Sequence, residues 1–88
     1  MITPEQLQTI ANSLEGQPLN DAIVTFLRAQ FPDIHFTYCM DDDVSGVSPK
    51  LENPRFNLYL IDGREHCLCL TKNHEDASGV LVAEIIDD

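Results

Sequence analysis

Positive charge is what this chain has least of: five Lys and Arg stand against 15 Asp and Glu, a formal charge of −10. A field of that sign repels phosphate backbones, which argues against nucleic-acid binding and in favour of a basic partner. The four glycines are scattered and form no phosphate-cradling loop. Three cysteines, an odd number, fit a reducing compartment better than a disulfide framework. There is no basic segment leading into an apolar stretch, no long apolar run and no lipidation pattern at either end, so the expectation is a cytoplasmic protein with no membrane association. Eighty-eight residues leave no room for a second core, so 1–88 reads as one domain. A hydrophobic fraction of 43% with 23% charged residues is that of a globular chain rather than a disordered one.

What is present begins with helix signals. Thr3 can cap a helix, Pro4 suits its first position, and Gln6 completes a Thr-x-x-Gln capping box. Ile2 and Leu7 have the spacing of a hydrophobic staple, and Leu7, Ile10, Ala11 and Leu14 form one apolar stripe that Gly16 ends. A second helix is expected from about Pro18 to Gln30, with Leu19, Ile23, Phe26 and Leu27 on one side, stopped by Phe31-Pro32. The pair reads as an αα-hairpin.

The period then changes from helical to alternating. Asp33 to Met40 places Ile34, Phe36, Tyr38 and Met40 on one side and His35, Thr37 and Cys39 on the other. Asp41 to Pro54 is acidic and aperiodic, a long loop. Phe56 to Thr71, F-N-L-Y-L-I-D-G-R-E-H-C-L-C-L-T, reads as two strands joined at Asp62-Gly63. Gly79 to Ile86 is a last strand, with Leu81, Ala83 and Ile85 facing one way and Val80, Val82 and Glu84 the other. The order ααββββ predicts an α+β fold: an N-terminal αα-hairpin packed on one face of a four-stranded antiparallel sheet.

Two hairpin registers are open. A two-residue turn at Asp62-Gly63 sets Leu58 opposite Cys67 and Phe56 opposite Cys69, with the thiols among leucines. A three-residue loop, Ile61 to Gly63, sets Leu58 opposite His66 and Phe56 opposite Leu68. The second is favoured because it gathers Phe56, Leu58, Leu60, Leu68 and Leu70 on one face. Two helices cover only one side of a sheet. The uncovered side is then expected to carry His35, Thr37, Cys39, Asn57, Tyr59, Cys67, Cys69, Val80 and Val82, a mix suited to an interface with a second copy or a larger protein.

The same face holds the residues with most chemistry. Cys39, Cys67 and Cys69, with His35, offer thiolate and imidazole ligands for zinc or an iron–sulfur cluster. Against this, zinc sites are usually built from C-x2-C-type pairs and only one C-x-C occurs here, while free cysteines are commonly just buried sheet residues. Asp41, Asp43, Ser45, Gly46 and Glu52 match a calcium-loop pattern, but Pro49 and Pro54 block the exiting helix, so a solvated acidic loop is the plainer reading. Cys67 and His66 are adjacent in a strand and point to opposite faces, so they form no nucleophile–base pair. With no carboxylate pair in an apolar setting and little room for a pocket, enzymatic activity is not expected.

Three stretches carry a resemblance: I-H-F-T-Y-C-M-D-D-D-V (34–44), the run 56–71 quoted above, and the ending G-V-L-V-A-E-I-I-D-D. Together they resemble a family of small, acidic, uncharacterised proteins found among nitrogen-fixation genes of proteobacteria. That resemblance brings no catalytic residues. It implies a cytoplasmic accessory factor near nitrogenase, its metallocluster assembly or its electron supply. The combined expectation is a non-enzymatic interaction protein, homodimeric or docked on a nitrogenase-related protein through the uncovered sheet face and without a cofactor. The alternative is a metal or iron–sulfur accessory protein using Cys39, Cys67 and Cys69.

Overall fold

The computed structural model describes residues 2–44, 48–63 and 69–85 (for Cys69, the backbone). Helix α1 spans Pro4–Leu14 and opens with the reciprocal capping box: Gln6 N donates to Thr3 Oγ1 at 3.1 Å and Thr3 N donates to Gln6 Oε1 at 2.9 Å. Its stripe of Leu7, Ile10, Ala11 and Leu14 is buried, and Ile2 joins the same cluster. Gly16 follows at φ 78°, a left-handed conformation that costs glycine little.

Helix α2 spans Ala22–Gln30, four residues later at its start than the sequence suggests. The reason is local: Asn20 Oδ1 accepts from Ala22 N at 2.9 Å, a side-chain-to-backbone bond that competes with helix and delays its first turn. The helix ends as expected, with Phe31 N donating to Leu27 O at 2.8 Å just before Pro32.

Five strands follow: β1 His35–Met40, β2 Leu51–Glu52, β3 Phe56–Asp62, β4 Cys69–Thr71 and β5 Gly79–Glu84. The sheet order is β1-β5-β3-β2, with β4 also paired to β3, on the edge that β2 uses. Residues 41–54, expected to be loop, thus contain a 3-10 turn at Asp41–Asp43 and the short strand β2. The fold class, α+β, stands. The four-stranded antiparallel sheet does not: the described residues form five strands, and β1 runs parallel to β5. Strand β5 is placed between β1 and β3 because G-V-L-V-A is apolar on both faces, which suits a strand covered from both sides.

That central position sets both faces. Phe36 lies opposite Val80, and Leu58 opposite Val82. With Phe56 and Leu60 these residues meet the apolar stripes of both helices in the main core. Each large side chain fully buried there contributes about 1.5–3 kcal/mol relative to exposure. On the opposite face Tyr59, Ile61, Leu81 and Ala83 form a second cluster, joined by Cys39, Val44 and Leu70.

Neither hairpin register holds. Strands β3 and β4 pair as Leu60↔Thr71, Ile61↔Leu70 and Asp62↔Cys69, several residues away from both alternatives. Strand β3 runs on through Asp62, so Asp62-Gly63 is not a tight turn. Its pairing with β5 extends to Ile61 opposite Gly79, and Ser78 N donates to Ile61 O at 2.8 Å, so β5 holds the end of β3 extended.

Candidate functional site

The expected interface residues divide between environments. His35 is exposed at the start of β1, and Thr37, Cys39 and Asn57 are half-buried. Tyr59 is buried on the same side of the sheet. Val80 and Val82 are fully buried on the helix-covered face, a correction to the expected uncovered set. Their alternation with Leu81 and Ala83 is as read from sequence; the register with Phe36 and Leu58 exchanges the faces. Cys67 lies outside the described residues, as do His66, Ser45 and Gly46.

The second face is also less open than two helices over one sheet imply. Tyr59 is 4% exposed, Ile61 2% and Ala83 0%. The turn Asp41–Asp43 is tied to that side by its first residue: Asn57 Nδ2 donates to Asp41 Oδ1 at 2.9 Å and Tyr59 Oη donates to the same oxygen at 3.1 Å. Asp41, a calcium-ligand candidate by sequence, therefore spends this oxygen on the protein's own side chains. Burial, then the bond to Asp41, raises the Tyr59 pKa.

Cys39 and Cys69 do not converge. Cys39 sits in β1 opposite Ala83, which lies opposite Asn57; Cys69 sits in β4 opposite Asp62. Three strand spacings and five residues along β3 separate them, roughly 20 Å between Cα atoms, far beyond two ligands of one ion. The proposed grouping of Cys39 with Cys69 around one metal in a single chain is thus corrected. Cys39 is a free, half-buried thiol whose pKa is raised by burial and then by the charges of Asp43 and Asp41, a setting that suppresses thiolate chemistry.

Two features were not found in the sequence. One is the outer edge of β1. His35 N donates to Ser78 O at 3.1 Å, so the odd residues of β1 direct their main-chain groups at β5. Phe36, Tyr38 and Met40 direct theirs away from the sheet, where no described strand pairs. Arg28 Nη2 reaches that edge from α2 and donates to Phe36 O at 3.3 Å. Strand β1 has no proline and no Asp, Glu, Lys or Arg to blunt an edge by charge. At its far end the Tyr38 hydroxyl bonds to Glu84, and this bond, more than burial, pushes the phenol up to about 12. Alternation alone could not show which strand is outermost.

The other feature is an open cleft of about 570 Å³ at the opposite end of β1, lined by Arg28, Pro32, Asp33, Ile34, His35, Gly63 and Ser78. It joins the exit of α2 to the starts of β1 and β5 and the end of β3. No spacing rule connects these residues, since they come from four segments. A smaller groove of about 200 Å³ lies by the α1–α2 connection, against Ile23 and Phe26.

Among the described residues no helix is long and apolar enough to cross a membrane. Comparison with curated proteins and with solved structures gave no match. A family model described as "Family of unknown function (DUF6129)" matches residues 9–85, and the chain belongs to that family.

Proposed function

We propose that the protein is a non-enzymatic accessory protein that works by docking an extended segment of a protein partner, or of a second copy, along the outer edge of β1. The observation that carries this reading is the row of main-chain groups of Phe36, Tyr38 and Met40, which no described strand pairs. Strand addition to such an edge supplies affinity through main-chain hydrogen bonds and needs no pocket. The edge replaces the sheet face as the docking surface, because Tyr59, Ile61, Leu81 and Ala83 are already buried within the chain. The acidic turn Asp41–Asp43 follows β1 directly and favours a basic partner segment at that end.

The setting we propose is the cytoplasm of nitrogen-fixing cells, with a nitrogenase-related component as partner. It rests on the resemblance of residues 34–44, 56–71 and the C-terminal stretch to proteins of that context. A metal-accessory role in the same setting would not use Cys39 and Cys69 of one chain as ligands of one ion, given their separation.

Tyr38→Pro tests the edge selectively. It removes an outward N–H and leaves the ladder to β5 without a lost donor, whereas Tyr38→Phe keeps the N–H and removes only the hydroxyl. Self-association by sedimentation and binding to purified nitrogenase components are to be measured for both. Loss in the proline variant with retention in the phenylalanine variant is expected. Equal binding by both, with unchanged circular dichroism, would sink the edge reading.

A further inference from the structure

Three hydrogen-bond donors meet at the cleft beside β1, each from a different segment. Arg28, in the last turn of α2, uses one guanidinium N–H on Phe36 O at 3.3 Å and keeps its others. Among the described residues no carboxylate lies within ion-pairing distance of it, although Asp33 lines the same cleft. Ser78 is held rigidly, its N–H donating to Ile61 O at 2.8 Å and its carbonyl accepting from His35 N at 3.1 Å. Its Oγ accepts from Gly63 N at 3.0 Å, so the hydroxyl hydrogen is directed elsewhere. The exposed His35 imidazole adds the third donor.

We propose that this cleft binds a small oxyanion, a carboxylate or a phosphate group. Two bonds from the guanidinium fork can grip such a group, and Ser78 and His35 supply donors from the side. A guanidinium with no carboxylate partner among the described residues is unusual enough to matter in a chain with three acidic residues for every basic one, 15 against five. The plainer role of Arg28, opposing the partial negative charge at the end of α2, uses its charge but not its remaining N–H groups. Asp33 opposes anion binding and sets the affinity low. This site meets the docking edge at Arg28, which bonds Phe36 O there, but its test involves no partner chain, so it stands or falls independently of strand docking.

The test is a titration of the ¹⁵N-labelled protein with inorganic phosphate and, separately, with acetate, at fixed pH and ionic strength. Saturable shifts of the Gly63, Ser78 and His35 amides by either anion are expected, and the tighter of the two identifies the geometry the cleft prefers. Arg28→Gln should weaken binding at least tenfold and Ser78→Ala about threefold, while Lys50→Gln, outside the cleft, should leave it unchanged. Shifts that grow linearly without saturating for both anions, or a saturable response retained in Arg28→Gln, would overturn the proposal. Native-like spectra away from the cleft separate loss of the site from loss of the fold.

Discussion

Asp41 and Tyr59, 18 residues apart in the chain, meet at 3.1 Å, the phenol donating to the carboxylate. The same oxygen accepts from Asn57 at 2.9 Å, so one side chain fastens the turn after β1 to the middle of β3. Asp41→Ala removes an ionised acceptor shared by two donors and should cost about 1–2 kcal/mol. Urea denaturation measures it, and an unchanged midpoint would show that the turn is held by other contacts.

Alkali should report on the two tyrosines separately. The Tyr38 phenol is held up to about 12 by its bond to Glu84, and Tyr59 is raised by burial and Asp41. A phenol with a folded pKa above its unfolded value binds its proton more tightly when folded. The stability it contributes is complete below about pH 10 and is lost as pH rises through the folded value. Tyrosinate absorbance should therefore rise late, and Glu84→Ala should bring the Tyr38 step down. A normal titration for both residues would contradict the two hydrogen bonds.

A charge placed on either face of β5 or β3 should unfold the chain rather than merely block a partner. Val82 is 0% exposed and Tyr59 4% exposed. Val82→Asp and Tyr59→Asp each put an unpaired ion into an apolar cluster, the second beside the Asp41 carboxylate that Tyr59 bonds at 3.1 Å, at a cost of several kcal/mol that a domain this size does not have in reserve. Circular dichroism should show both largely unfolded at 25 °C. A folded Tyr59→Asp variant would mean that the second face is open after all.

Gly79 is needed for a close approach, not for a turn. A Cβ there would lie 2.6 Å from the His35 carbonyl oxygen and 3.0 Å from the His35 Cβ. Two paired backbones cannot both yield, so Gly79→Ala should part the start of β1 from β5 and cost about 1–3 kcal/mol. Thermal unfolding would show a fall of several degrees. Faster amide exchange at Thr37 should accompany it, and no change in either would remove this account of the glycine.

Cys39 should be a slow nucleophile. Burial and the charges of Asp43 and Asp41 hold its thiol up, so little thiolate is present near neutrality. With Cys67 and Cys69 changed to Ser, alkylation of the native protein should be well below the rate for the unfolded chain. Equal rates would contradict that environment.

The helices were legible in the sequence because their signals are local. Thr3, Pro4, Gln6 and the stripe from Leu7 to Leu14 lie within one another's reach along the chain, and the structure keeps each of them. The start of α2 was less so, because the side chain of Asn20 competes with backbone bonds that periodicity takes for granted. The candidate site was legible only in part. Thr37, Cys39, Asn57 and Tyr59 share a face as alternation requires, while Val80 and Val82 share the other. The apolar character of V-L-V-A on both faces was the available signal that β5 is central.

Local signals along the chain are enough for an acidic α+β fold, the first helix with its cap, the end of the second, and which residues of β1, β3 and β5 point the same way. Those properties follow from bonds and periods spanning a few residues. Long-range packing alone places β5 between β1 and β3, parallel to one and antiparallel to the other. From that choice follow the covered and second faces, the distance between Cys39 and Cys69, the outer edge of β1, and the cleft joining Arg28, His35 and Ser78. Strand order is a competition among long-range pairings with similar backbone hydrogen bonds. Burying Val80, Val82, Leu81 and Ala83 on both sides at once settles it, and no local pattern encodes that total.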